Sequence, residues 1–537
     1  MDAHPGFHSL EDEATASLAV EGSLPQWLTG SLLRNGPGSF SLGEADSVDH
    51  WFDGLAMCTR FTFDPGNRAG VDLEAAVDGA SDDAVDGAVD GAGDSVVDGD
   101  GAVDSDGDVV GGGDAIHYRN RFLETDAYAE AQAGEFTGGF ATGETTLRDR
   151  LRGFLSEPYD NTNIIVERVG DRYFALTESP RAVEIDPNTL AVEGQYQYDG
   201  PEPTGQLACA HLKRDPATGT LFNVETAFGR TSTYQIHALA GDGERRHVAS
   251  VDTDEAAYMH SFALTPHYVV LTEFPLRVDP LTFFKPGRQA AFIEQFEWQP
   301  ERGTRIVVVD RATGEVVAEP VTDPVFGFHH VNAFERRGGT ELVFDLETVP
   351  DATTIGELTL ESLRDGNLNA IAGRLERFTV DLGGMTGTDR YGAGTATVDR
   401  EMLYDDGTAL PTVSPARWCR PHRYVYAMSL AQPATEWATG VLKYDTETGA
   451  VTEFDSGGDY FGEPIFVPEP GDTENAGAPE DAGVVLTLAL DADAGRSRLL
   501  VLDGERFAER ARVDLPHALP FDFHGRYFPE LRAKAAE

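Results

Sequence analysis

The chain has 537 residues, 41% of them hydrophobic, and a formal net charge of −51. That length allows one large repeating architecture or several ordinary domains. Without a basic patch, the charge argues against a nucleic-acid partner. Only four of the 41 basic residues are lysines: Lys213, Lys285, Lys443 and Lys534. Many carboxylates and few lysines suit a surface adapted to concentrated salt, where the Debye length falls to about 3 Å.

Cys58, Cys209 and Cys419 are too few for a disulfide framework, and no Cys-x-x-Cys pair marks a structural zinc site. The N-terminus has no basic segment followed by an apolar run, which argues against a secretory signal. No run of 18 apolar residues reads as a membrane span. The expectation is a soluble cytoplasmic protein.

In chain order, Thr59-Arg-Phe-Thr-Phe-Asp alternates as a strand, and Ala115-Ile-His-Tyr-Arg-Asn-Arg-Phe-Leu does so again. Between them, residues 76–113 repeat Val-Asp-Gly-Ala, with Asp78, Asp82, Asp86, Asp90, Asp94 and Asp98 four apart. This tract has too little apolar surface to offset its ordering entropy, so it reads as a disordered acidic insertion in a hairpin. Asp104, Asp106 and Asp108 alternate as in a calcium loop, but the glycine is misplaced and no glutamate closes it.

Further on, short strands alternate with Asp-x-x-Thr-Gly turns at Asp215, Asp310 and Asp445. Each Asp can bond its own backbone, and each Gly can supply a positive φ. Arg305-Ile-Val-Val-Val and Gly483-Val-Val-Leu-Thr-Leu-Ala-Leu read as buried strands. Helical signal is thin, the best case being Leu358 to Leu368. Many short strands over a long chain predict an all-β fold, a β-propeller or a pair of β-sandwiches.

Four of the 14 histidines stand in distinctive contexts: His211 in Ala-His-Leu-Lys, His260 in Tyr-Met-His-Ser-Phe, His329 in Phe-His-His-Val-Asn and His524 in Phe-Asp-Phe-His-Gly. Neutral imidazole is the commonest protein ligand for a redox-capable transition metal. In a propeller, residues this far apart in sequence can meet on the axis.

These residues, together with Gly30-Ser-Leu-Leu-Arg-Asn-Gly-Pro-Gly, His50-Trp-Phe-Asp-Gly-Leu-Ala-Met, Asn161-Thr-Asn-Ile-Ile, Ala175-Leu-Thr-Glu-Ser and Gly462-Glu-Pro-Ile-Phe-Val, resemble the carotenoid cleavage oxygenases nearly end to end. The resemblance implies one domain over residues 1–537, a seven-bladed β-propeller with a dome of loops and short helices over an axial metal site. It implies Fe(2+) held by His211, His260, His329 and His524, with no further catalytic residue. Glu178 and Glu463 match two carboxylates that orient ligand imidazoles. The third is expected beside Thr408, where this chain has Ala409, a departure that would weaken or retune the site. His50, His330 and His422 read as structural, Asp53 as a turn cap, and Gly36 and Gly54 as relief of backbone strain.

Four neutral imidazoles leave an octahedral dication two open positions, which suits a reaction whose substrate supplies every electron. O2 cleavage of a C=C bond in a carotenoid or apocarotenoid is such a reaction, and retinal is one product it could give. Cleavage of a phenolic stilbene is the alternative. It needs a tyrosine and a lysine at the phenol, and no lysine here has a matching context. A non-oxygenase isomerase or lipid carrier is the other, with Ala409 its only support. The aromatic stretch Phe283-Phe284, Phe292-Ile293, Phe296 and Trp298 reads either as a peripheral membrane contact at a cavity entrance or as packing on the propeller.

Overall fold

Strands Leu55–Arg68 and Asp114–Phe122 pair antiparallel, so the acidic insertion does interrupt one hairpin. The computed structural model describes residues 5–43, 46–68, 114–134, 139–142, 159–284, 291–366, 368, 370–383, 396–471 and 479–532. The tract 76–113, with Asp104, Asp106 and Asp108, lies outside the described residues.

The described chain is nearly all β, arranged as antiparallel sheets in sequence order. The first sheet joins the chain's two ends. Its strand Gly30–Ser39 lies between Leu55–Arg68 and the C-terminal strand His524–Phe528. Next come a four-stranded sheet over Ile165–Gln195 and a five-stranded one over Leu207–Thr253. A third, over Ala263–Thr322, also has five strands. A seven-stranded sheet spans His330–Phe454, and a six-stranded one takes in Tyr460–Asp514 and the pair Glu21–Gly22.

The repeated turns form as their chemistry predicts. Asp215, Asp310 and Asp445 accept backbone N–H bonds at 2.9, 2.9 and 3.0 Å from Ala217, Ala312 and Glu447. Gly219, Gly314 and Gly449 follow at φ of 74°, 75° and 72°. The apolar runs lie in strands Thr304–Asp310 and Gly483–Asp491, with Ile306 to Val309 and Val484 to Leu486 fully buried. Burial on both faces explains why these runs do not alternate.

The helix expected over Leu358–Leu368 is only the turn Leu360–Arg364, capped by Thr359, whose hydroxyl accepts from Ser362 N–H. Leu360 and Leu363 pack beside Trp51 and Phe7 in one apolar cluster. Gly36 and Gly54 have another purpose than the one expected: Gly54 has φ −60° and Gly36 is not in the left-handed region. A Cβ at Gly36 would stand 2.4 Å from Asp522 Cα, and one at Gly54 would stand 2.4 Å from Pro37 Cβ. Close chain packing, not strain, requires both.

Candidate active site

Each histidine stands at the start of a strand in a different sheet. His211 precedes Lys213–Arg214, His260 precedes Ala263–Leu264, His329 precedes His330–Arg336, and His524 opens His524–Phe528. One ring nitrogen from each lies within 4.8 Å of the other three. Three rings are held from behind by carboxylates. Glu178 Oε1 is 2.6 Å from His260 Nδ1, Glu347 Oε2 is 2.6 Å from His329 Nδ1, and Glu463 Oε1 is 2.8 Å from His524 Nδ1. An imidazole whose Nδ1–H is given to a carboxylate turns a bare Nε2 lone pair inward.

These atoms fit a metal ion. The His329 Nε2 is buried with no hydrogen-bond partner. The Nε2 atoms of His211 and His260 are 3.0 Å apart, too close for two lone pairs without a proton or cation between them. Burial, then the neighbouring imidazoles, holds His211 and His329 well below the usual histidine range. Neutral rings are what a metal needs. Burial pushes the Glu347 carboxyl up to about 8, an effect that a dication across the imidazole would oppose.

Glu347 corrects the expectation about the third carboxylate. Ala409 packs on the apolar cluster and lines the cavity wall, and no acid is missing. The acid comes instead from strand Glu341–Thr348, where Glu347 N–H also donates to His329 O at 3.0 Å. Leu-Val-Phe-Asp-Leu-Glu reads in sequence only as a buried strand, and the pairing register is what sets Glu347 against His329.

Two further groups were not foreseen. Tyr258 O–H donates to Glu178 Oε1 at 2.7 Å, the same oxygen that serves His260. Arg34, fully buried, donates to Asp522 Oδ1 at 2.6 Å and to Glu463 O at 3.0 Å, bracing both sides of His524. The Arg34-Asn-Gly-Pro motif therefore supports the site directly. Asn161 and Asn163 both donate to Gly54 O at 2.9 Å, fixing the Trp51-Phe-Asp-Gly turn at the cavity.

The histidines read as structural are so. His50 Nε2 lies 2.8 Å from Ile355 O, and His422 Nε2 lies 2.9 Å from Asp345. His330 sits between Ser261 and Thr272 hydroxyls, each at 2.8 Å. Asp53 caps a loop, accepting from Phe140 and Ala141 N–H at 2.6 and 2.9 Å.

Three of the four histidines line a cavity of about 760 Å³. Its walls carry Phe52, Phe140, Phe228, Tyr258, Phe283, Phe292, Phe328, Trp437 and Phe523, with Leu358, Leu368 and Leu410. Phe283 and Phe292 stack with centroids 5.7 Å apart. Aromatic and aliphatic walls of this kind suit an apolar ligand.

A family model described as retinal pigment epithelial membrane protein matches residues 7–529, and the chain belongs to that family. It is 30% identical to the apocarotenoid-15,15'-oxygenase of Synechocystis, over 95% of this chain and 92% of that one. It is 27% identical to the mouse beta,beta-carotene 15,15'-dioxygenase, over 98% and 91%. A solved structure of cobalt-substituted Synechocystis ACO superposes with TM-score 0.74 at 26% identity, covering 98% of each chain.

Proposed function

We propose that the protein is an iron(II) dioxygenase that cleaves a conjugated C=C bond of a carotenoid or apocarotenoid. The observation that carries this is the ring of four histidines, three of them backed by glutamates, at an aromatic-walled cavity. His211, His260, His329 and His524 would hold the iron, and Glu178, Glu347 and Glu463 would fix the tautomer of three rings. Bound iron supplies O2 activation. The reaction joins one O2 to one C=C and gives two carbonyls. The four electrons come from the substrate, so no cosubstrate is needed.

The chain's own task is to place the polyene and exclude water, and the aromatic walls suit both. No lysine is among the described residues lining this cavity, so the stilbene alternative lacks half of its phenol-activating pair. The non-oxygenase alternative rested on Ala409 and loses that support with Glu347 in place.

The fold reading that goes with this function is a single domain, a seven-bladed propeller. In support, six sheets have four strands or more, and the seven-stranded one shifts register between Ala409 and Thr412, where two blades would join. No helix among the described residues is long and apolar enough to cross a membrane. Peripheral lipid contact would fall at the turn Pro280–Phe284, where Leu281 is 67% exposed beside the cavity residue Phe283.

The test is to load the protein anaerobically with Fe(II), add labelled O2, and offer β-carotene, apocarotenals and a hydroxystilbene. The expected result is labelled aldehydes from a polyene. No cleavage across the panel, or equal cleavage by His260→Ala, would overturn the reading.

A further inference from the structure

A second cavity of about 840 Å³ meets the first at His329 and His524 and adds His211 to its wall. The two differ in charge. The aromatic cavity is lined by six carboxylates and one arginine. The second is lined by five cations, Arg168, Lys213, Arg214, Arg526 and Arg532, against Glu463 and Glu530. Across the whole chain acids outnumber bases 92 to 41, so this local reversal is not what composition alone would produce.

Some of these cations are already matched. Arg168 pairs with Glu530 at 2.8 Å, Arg214 with Glu167 at 3.2 Å, and Arg526 also with Glu167. Three donors retain capacity. The Lys213 ammonium donates to His330 O at 2.8 Å and has no ion pair with any described carboxylate. The buried Nε of Arg526 has no hydrogen-bond partner. Arg532 is exposed at the rim beside Pro529 and makes no ion pair among the described residues. A half-buried ammonium without a counter-charge is costly, and an anion in this cavity would supply one by charge-assisted hydrogen bonds.

We propose that this second cavity is a binding site for a small anion, a carboxylate or an inorganic oxyanion, held by Lys213 and Arg526 and admitted past Arg532. It meets the aromatic space at His329, Leu410 and His524, but its cations line only the second cavity, so the proposal is independent of the substrate that the aromatic space takes.

Calorimetric titration of the metal-loaded protein with formate, phosphate and chloride tests this. Ionic strength is held with the potassium salt of a bulky sulfonate. Formate or phosphate should bind saturably at one per chain. Lys213→Met should weaken that binding at least tenfold, and Arg532→Ala, a change at the exposed rim, several-fold. Preference for formate or for phosphate identifies the class, and chloride alone binding counts against the proposal. It is overturned if no anion saturates or if both variants bind unchanged. It is equally overturned if binding vanishes on metal removal yet survives Lys213→Met, since the anion would then sit on the metal.

Discussion

Glu347 Oε2 lies 2.6 Å from Nδ1 of His329, across the antiparallel pairing of His330–Arg336 with Glu341–Thr348. The backbone fixes this contact as well, since Glu347 N–H donates to His329 O at 3.0 Å. The two residues are therefore held as a unit before any metal binds. Glu347→Gln keeps the shape but removes the charge that makes His329 a stronger donor. It should lower metal affinity or turnover by roughly 10–100-fold. Ala409→Glu should recover nothing, because Ala409 is not where the third carboxylate acts. Metal content and turnover of the two single variants and the double variant decide this.

Glu178 Oε1 accepts from both His260 Nδ1 and Tyr258 O–H, whereas no tyrosine among the described residues bonds Glu347 Oε2. Tyr258→Phe removes one charge-assisted bond, on the order of 1.5–3 kcal/mol, while leaving the ring in place. Metal should bind about tenfold more weakly, and Glu178→Gln should cost at least as much. A cobalt-loaded sample gives a readout apart from turnover: its ligand-field bands should shift in Tyr258→Phe. Unchanged bands and affinity would reduce Tyr258 to packing.

His329 and His330 are adjacent in sequence and face different surroundings. His329 meets the other three histidines, and His330 is bonded between Ser261 and Thr272. His329→Ala should remove the metal while the fold persists. His330→Ala should keep one metal per chain and lose about 2–4 kcal/mol of stability, from the space left and the hydroxyls unpaired. Metal analysis beside denaturant melts separates the two, and metal loss in both would contradict the assignment.

The histidines were legible in the sequence because each sits in its own short motif, and Glu178 and Glu463 because each does too. Glu347 was not, because its partner is set by strand register, and register is a property of pairing that a linear motif does not carry. Arg34 was legible as a motif but not as a brace, since its contacts with Asp522 and Glu463 span more than 400 positions. The turns at Asp215, Asp310 and Asp445 were fully local and formed as expected. The helix at Leu358–Leu368 shrank to Leu360–Arg364: Leu360 and Leu363 pack in the apolar cluster, whereas Leu358 and Leu368, outside the helix, line the cavity wall.

His237 lies away from the metal-facing histidines, 3.9 Å from Glu225, which also pairs with Arg245. Burial, then the Arg245 and His247 charges, pushes it down to about 3. Its ordinary value in the unfolded chain is about 6.5. Between those two values the unfolded chain holds a proton that the fold refuses, so unfolding takes up a proton and stability must fall as pH falls. The contribution is intact above about pH 6.5 and is lost towards pH 3, with a limiting slope of about 1.4 kcal/mol per pH unit. His237→Gln should flatten the acid limb of a stability profile by up to one proton and leave the profile above pH 7 unchanged. Identical acid limbs in the two proteins would mean that His237 titrates normally in the fold.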